Sequence, residues 1–322
     1  MRARGEGEVC GERGTGGRPA RRHHSPRQAQ DVVGEEAGDG GFAAHDGELN
    51  VRLSNNQTML WASNSFVPNG NALLFGSETA TDKVNFQNNI NLNGGNRTIL
   101  VTANNADVDA GLNANVDWAV LNGVISNGSL TLGDATHTGI VVLAGKNTYT
   151  GSTTINGGGL ALASTGKLSS STAVNLASNT SFDISGMDAS SQTIASLTAA
   201  TGSAVVLGAK KLTTGDASST TVAGVISGDG GTLTKQGSGT MTLTAANTYT
   251  GATTIADGTV ALNALSGVLV AKGSFELDLG QVSTTAASNG VTFTNASAVS
   301  LTLTGASLFV GTGGSLSAAS ST

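Results

Sequence analysis

From residue 51 onward, apolar residues fall in short alternating sets: Val84/Phe86, Ile90/Leu92, Val174/Leu176, Phe182/Ile184, Val205/Leu207, Phe275/Leu277/Leu279, Val291/Phe293 and Leu301/Leu303. A period of two sends one side of a short extended segment into a core and leaves the other in water. Turn dipeptides stand between the sets, at Asn69-Gly70, Asn93-Gly94, Asn122-Gly123 and Asn289-Gly290. Such pairs favour tight reversals. Pro68 is the only proline after residue 50. The pattern predicts many short β-strands with regular punctuation, as in a sandwich, a barrel or a solenoid.

An internal duplication decides among these. Residues 141–162 read VVLAGKNTYTGSTTINGGGLAL and residues 241–262 read MTLTAANTYTGATTIADGTVAL, identical at 12 of 22 positions without a gap. Upstream, Gly123-Val124-Ile125-Ser126 returns as Gly224-Val225-Ile226-Ser227. Val141, Leu143, Tyr149 and Ile155 share one parity, as do Met241, Leu243, Tyr249 and Ile255, so each set is expected to face inward. Parity flips at Gly157-Gly158-Gly159, and again at Gly258, before fresh inward pairs at Leu160/Leu162 and Val260/Leu262. A corner followed by a new inward pair is what a coil of stacked strands requires. Asn147 and Asn247 suit corners as well. One such coil alone buries too few side chains to offset its ordering entropy, so coils must stack and share a core.

Composition separates two parts. The first 50 residues hold 16 of the 38 charged residues, two of the three prolines and the only cysteine, Cys10, and show no hydrophobic period. Residues 1–50 are expected to be disordered, or to be text translated in the wrong frame; residues 51–322 form the β domain, with repeats near 123–162 and 224–262. Across the chain there are 46 glycines, 12% charged residues and a net charge of −6. No basic stripe stands out and aromatics are 4%, so nucleic acid is not an expected partner. Apolar runs are too short to span a membrane as a helix. Arginines near the start are not followed by an apolar core, so a signal peptide is expected outside this chain.

The repeat resembles the autotransporter-associated β-strand repeat of Gram-negative secreted proteins. The resemblance rests on GGTLTKQGSGTMTLTAANTYTGATTIADGTVAL at 230–262 and on NTYTGSTTINGGGLAL in the first copy. The stretches at 74–99 and 116–126 look like material that precedes such repeats. It implies an all-β fold, a right-handed parallel β-helix (β-solenoid), secreted or held at the bacterial cell surface in association with the outer membrane. It also implies a translocator β-barrel, expected outside this chain. The first copy departs from the pattern: Gly128-Ser129-Leu130-Thr131-Leu132-Gly133-Asp134 stands where GTLTKxGxG is expected.

Candidate chemistry is sparse. Asp107/Asp109 and Glu276/Asp278 are the nearest approach to paired carboxylates, and both read as solvated edge charges. His137, the only histidine beyond residue 50, stands in a Thr/Gly turn and lacks the partners of a Ser-His-Asp site. Gly166-Lys167 has the letters of a phosphate loop without its spacing, and Gly228-Asp229-Gly230-Gly231 those of a calcium repeat without its spacing. Lys210-Lys211 reads as a solvated corner. Thr-x-Thr pairs, as at Thr240-Met241-Thr242 and Thr302-Leu303-Thr304, line ice-binding solenoids, yet do not recur here at every rung. No catalytic, cofactor-binding or metal-binding residue is assigned, and no cofactor. The sequence therefore predicts a structural, adhesin-like passenger scaffold without catalysis, whose ligand would be a surface or a carbohydrate. The alternative is a carbohydrate-active β-helix enzyme resembling a polysaccharide lyase.

Overall fold

A computed structural model describes residues 40–63, 66–103 and 118–262, with the backbone of strands Ala29–Asp31, Leu269–Ala271, Phe275–Asp278, Phe293–Asn295 and Leu301–Thr304. The chain is all-β and coils as a parallel β-solenoid. One ladder is antiparallel, between Ala29–Asp31 and Gly40–His45; the other strand ladders are parallel. Short alternating segments cannot cover both faces by hairpins and still place their equivalents in line. Coiling does so, because each strand finds its partner one turn later in the same direction.

Three sides enclose the core. A 13-stranded sheet runs the length of the coil, an eight-stranded sheet forms the second side, and sheets of three and six strands form the third. The two third-side sheets are joined by turns in which Asn147 packs on Ile125 and Lys167, and Gln192 on Leu168. Gly40–His45 pairs with Leu73–Phe75 and Leu49–Val51 with Val84–Phe86, so the coil takes in residues N-terminal to the composition break at 50. Asp107 and Asp109 lie outside the described residues, and so do the side chains of Glu276 and Asp278.

Turn length changes along the axis. Val84 to Ala119 is a step of 35 residues, whereas Val141 to Leu160 is 19 and Leu160 to Phe182 is 22. The wide turns enclose more space and fill it with rings: Phe42, Trp61, Phe66, Phe75 and Phe86 pack with centroids 5.6–6.2 Å apart. The narrow turns are filled mainly by aliphatic residues, with single rings at Tyr149, Phe182 and Tyr249. Val141, Leu143, Tyr149, Ile155, Leu160, Met241, Leu243, Tyr249, Ile255 and Val260 are all buried, with the parity that the sequence predicts.

Each repeat is one closed turn. Val141 lies beside Leu160 and Leu143 beside Leu162; in the copy, Met241 lies beside Val260 and Leu243 beside Leu262. The corner glycines are demanded by this closure: Gly158 and Gly258 have φ of 63° and 71°, and a Cβ on Gly158 would stand 2.1 Å from the Gly139 carbonyl oxygen. The two copies do not occupy the same side. Ile140–Leu143 and Gly159–Leu162 belong to the second sheet, with Thr153–Ile155 in the long sheet. Thr240–Leu243 and Thr259–Leu262 belong to the long sheet, with Thr253–Ile255 on the third side. The same text has moved round by one side.

The outward rank of the long sheet is polar and repeats from turn to turn without the paired Thr-x-Thr positions. Thr98, Thr131, Thr154 and Asn175 stand in register, followed by Thr198, Thr221 and Thr242. The outward positions two residues before them include Ser129, Ser152, Ala173 and Ser196, so the doubled threonine array of the ice-binding kind is not formed.

Candidate functional site

The polar groups in the described coil gather at its corners, where strands leave backbone donors and acceptors unpaired. Asn147 is buried and meets three turns at once: its side-chain oxygen accepts from the Ile125 N–H (2.9 Å), and its amide donates to the carbonyls of Gly145 (2.9 Å) and Lys167 (3.0 Å). Asn247 accepts from the Ile226 N–H in the second copy at 2.8 Å. Two residues on, Tyr149 is fully buried with its hydroxyl 2.7 Å from Thr153 Oγ1, and Tyr249 pairs with Thr253. Burial holds both phenols above their ordinary pKa, with the threonine hydrogen bond opposing it. They are un-ionised core residues. The NTYTG-x-TT text is therefore a corner lock: Asn ties its turn to the one before (and, at Asn147, to the one after), Tyr fills the lumen, and Thr completes the phenol.

The corner preceding each repeat is closed by opposite chemistries. Before the second copy, Lys235 is only 1% exposed, and its ammonium donates to the carbonyls of Gln236 (2.7 Å) and Gly237 (2.6 Å). Burial lowers its pKa, while Asp257 and Asp216 act to raise it. This is the lysine of the GTLTK text. Before the first copy, Asp134 does the work by accepting: from the N–H groups of Thr136 and His137 (each 2.8 Å), the Thr136 hydroxyl (2.9 Å) and His137 Nδ1 (2.9 Å). Partial burial pushes its carboxyl up, but these hydrogen bonds outweigh it and bring the pKa down to about 2. His137 thus sits in a loop, as expected, hydrogen-bonded to Asp134 at the corner.

The sign of that shift gives a prediction. A carboxyl whose pKa is depressed by folding stabilises fully above its unfolded value, near 4, and loses that contribution as pH falls towards 2. Asp134→Asn is expected to shrink the loss of stability between pH 4 and pH 2, read as urea midpoints against the parent chain. An identical acid profile in the variant would refute it.

Among the described residues no group of three or more His, Cys, Asp or Glu is placed to hold a metal ion. No helix there is long and apolar enough to cross a membrane. Gly166-Lys167 forms a corner, with Lys167 exposed; Gly228–Gly231 forms another, with Asp229 accepting from the Thr250 hydroxyl at 2.9 Å. Arg97 is buried against Leu92 O (2.9 Å) and Asn69 Oδ1 (2.6 Å), an inward arginine that strand alternation alone does not anticipate.

Residues 136–162 and 233–262 match the model of the passenger-associated-transport-repeat family. Each matched segment ends with the strand that closes one 19-residue turn. These repeats and the parallel β-solenoid fit an autotransporter passenger β-helix. No curated protein and no solved structure matches it. In this passenger the family's text is a self-closing coil, and the motif residues Asn147, Tyr149, Thr153 and Gly158 are structural by position: three buried or at a buried hydrogen bond, the fourth in the left-handed region. A passenger implies secretion or surface localisation and a translocator barrel elsewhere.

Proposed function

We propose that this passenger is a structural scaffold, adhesin-like, which carries its outward faces to a surface or carbohydrate ligand and cleaves nothing. The observation that carries this reading is the destination of the polar side chains. Asn147, Tyr149, Lys235 and Asp134 are spent on backbone carbonyls, N–H groups and neighbouring turns, which leaves regular ranks of Thr, Ser and Asn as the presented surface. Stacked coils form a stiff support because each turn is tied to the next by both backbone ladders and shared core.

Two measurements test it. In cells expressing the gene with its flanking sequence, an epitope placed in an exposed corner, such as that at Lys167, is expected to be reached by antibody on intact cells. The purified chain is expected to leave polygalacturonate and neutral glucans at their starting length. Shortened polysaccharide would favour the lyase-like alternative, and an epitope reached only after lysis would remove the surface role.

A further inference from the structure

The third side of the coil brings together cations that lie far apart in the sequence. Lys146 and Lys167 are bridged in parallel register on consecutive turns. On the inner row, Leu168 is tied to Gln192 by two hydrogen bonds, and Gln192 stands beside Leu212 and then Leu233. The Gln192 side chain, bonded to the Leu168 backbone, places the Ser191 turn next to that of Lys167, so the outer row runs Lys146, Lys167, Ser191, Lys211, Thr232, with Lys210 at the adjoining corner. Lys146, Lys167 and Lys211 are exposed. Among the described residues none of the four lysines joins an ion pair, and the row contains no carboxylate. Like charges stacked on adjacent strands oppose folding, so the row is held at a cost to stability.

A second outward row runs beside the first, two residues further along each strand: Thr148, Ser169, Thr193, Thr213 and Thr234. Four consecutive turns thus present Lys-x-Thr, Lys-x-Ser, Ser-x-Thr and Lys-x-Thr. Strand spacing places the three lysines at about 0, 5 and 14 Å along the axis, with hydroxyls about 7 Å to the side. Ammonium groups supply charge and hydroxyls supply directional hydrogen bonds, the pairing that a sulfate, phosphate or carboxylate on a hydroxylated polymer calls for.

We propose that this face binds a linear anionic polysaccharide laid along the solenoid axis. Double-stranded DNA carries one charge per about 1.7 Å, far denser than three lysines spread over four turns. A polymer with about one anion per sugar fits the row better. The proposal deepens the scaffold reading by naming its ligand, and rests on that reading only in that the bound polymer stays whole.

The test uses the purified chain with fluorescently labelled dextran sulfate, neutral dextran of equal length and a DNA duplex, followed by anisotropy at low and moderate salt. Dextran sulfate is expected to bind, to weaken with salt and to lose about tenfold in affinity in K146Q/K167Q. The double variant R52Q/K83Q, which removes the same charge from elsewhere, is expected to bind as the parent does. Relief of stacked charge predicts that K146Q/K167Q melts no lower than the parent, and K211Q alone gives a second reading on a separate strand. Equal binding by all variants, no binding at low salt, or DNA binding as tight as dextran sulfate would each overturn the proposal. Polymer recovered intact but unbound defeats the ligand face alone; polymer recovered shortened defeats the scaffold reading instead.

Discussion

Tyr149→Ala is expected to destabilise the coil around it by about 3–5 kcal/mol, the range for truncating a large buried aromatic. Tyr149 has no exposed surface, and it lies in one of the narrow turns. Its loss opens a cavity that the turns on either side cannot close, because their strands are pinned by parallel ladders at Leu130–Thr153 and Thr153–Val174. It also strands the Thr153 hydroxyl, whose 2.7 Å partner disappears. Tyr149→Phe keeps the ring and loses only that hydrogen bond, so about 1–2 kcal/mol is expected. Urea midpoints of the two variants give the order, and hydrogen exchange gives the place: lost protection should concentrate in Ser129–Leu132, Thr153–Ile155 and Val174–Leu176. If phenylalanine costs as much as alanine, lumen filling is not the main contribution of this residue.

Asn147→Ala is expected to cost about 3 kcal/mol or more, since each buried group left without its partner costs about 1–3 kcal/mol. The amide serves an N–H one turn below at Ile125, a carbonyl in its own turn at Gly145 and a carbonyl one turn above at Lys167. Water cannot readily replace it, because the residue is 5% exposed. Asn147→Asp keeps the acceptor but turns two donated hydrogen bonds into repulsions between a carboxylate and carbonyl oxygens. That variant is expected to be at least as unstable as the alanine at neutral pH and to recover as pH falls towards 4, because burial among carbonyl oxygens raises the folded-state carboxyl above its unfolded value. Chemical denaturation at pH 7 and pH 4 separates the two; an aspartate variant as stable as the parent at pH 7 would show that the two donated bonds carry little.

The repeat was legible because its rules are local. Parity places Val141, Leu143, Tyr149 and Ile155 on one face whatever the long-range fold, and the switch at Gly157-Gly158-Gly159 marks a corner by backbone chemistry alone. The corner role of Asn147 could also be expected, though its partners Ile125 and Lys167 could not, since they lie 22 and 20 residues away in other turns. The variation in turn length, from 15 to 35 residues per turn, is why the lysine row was hidden. Lys146, Lys167 and Lys211 are separated by 21 and 44 positions in the chain, intervals with no common period, and only the register of the inner row aligns them. The threonine rank of the long sheet was missed for the same reason. Thr98, Thr131 and Thr154 lie 33 and 23 positions apart in the chain and meet only in space. Gly40–His45 escaped for a different one: a strand of small residues, with Phe42 its only large apolar side chain, shows little alternation until its partner Leu73–Phe75 is known.

The shift of the second repeat to a neighbouring side has a bearing on how such rods grow. A copied unit needs only to close upon itself, so a newly inserted copy need not preserve its compass bearing to be accommodated. Lengthening by gene duplication would then fan identical surface features around the shaft like steps of a spiral stair. A rod built this way would offer the same chemistry in several directions at once, and a partner approaching from any quarter would find some copy facing it.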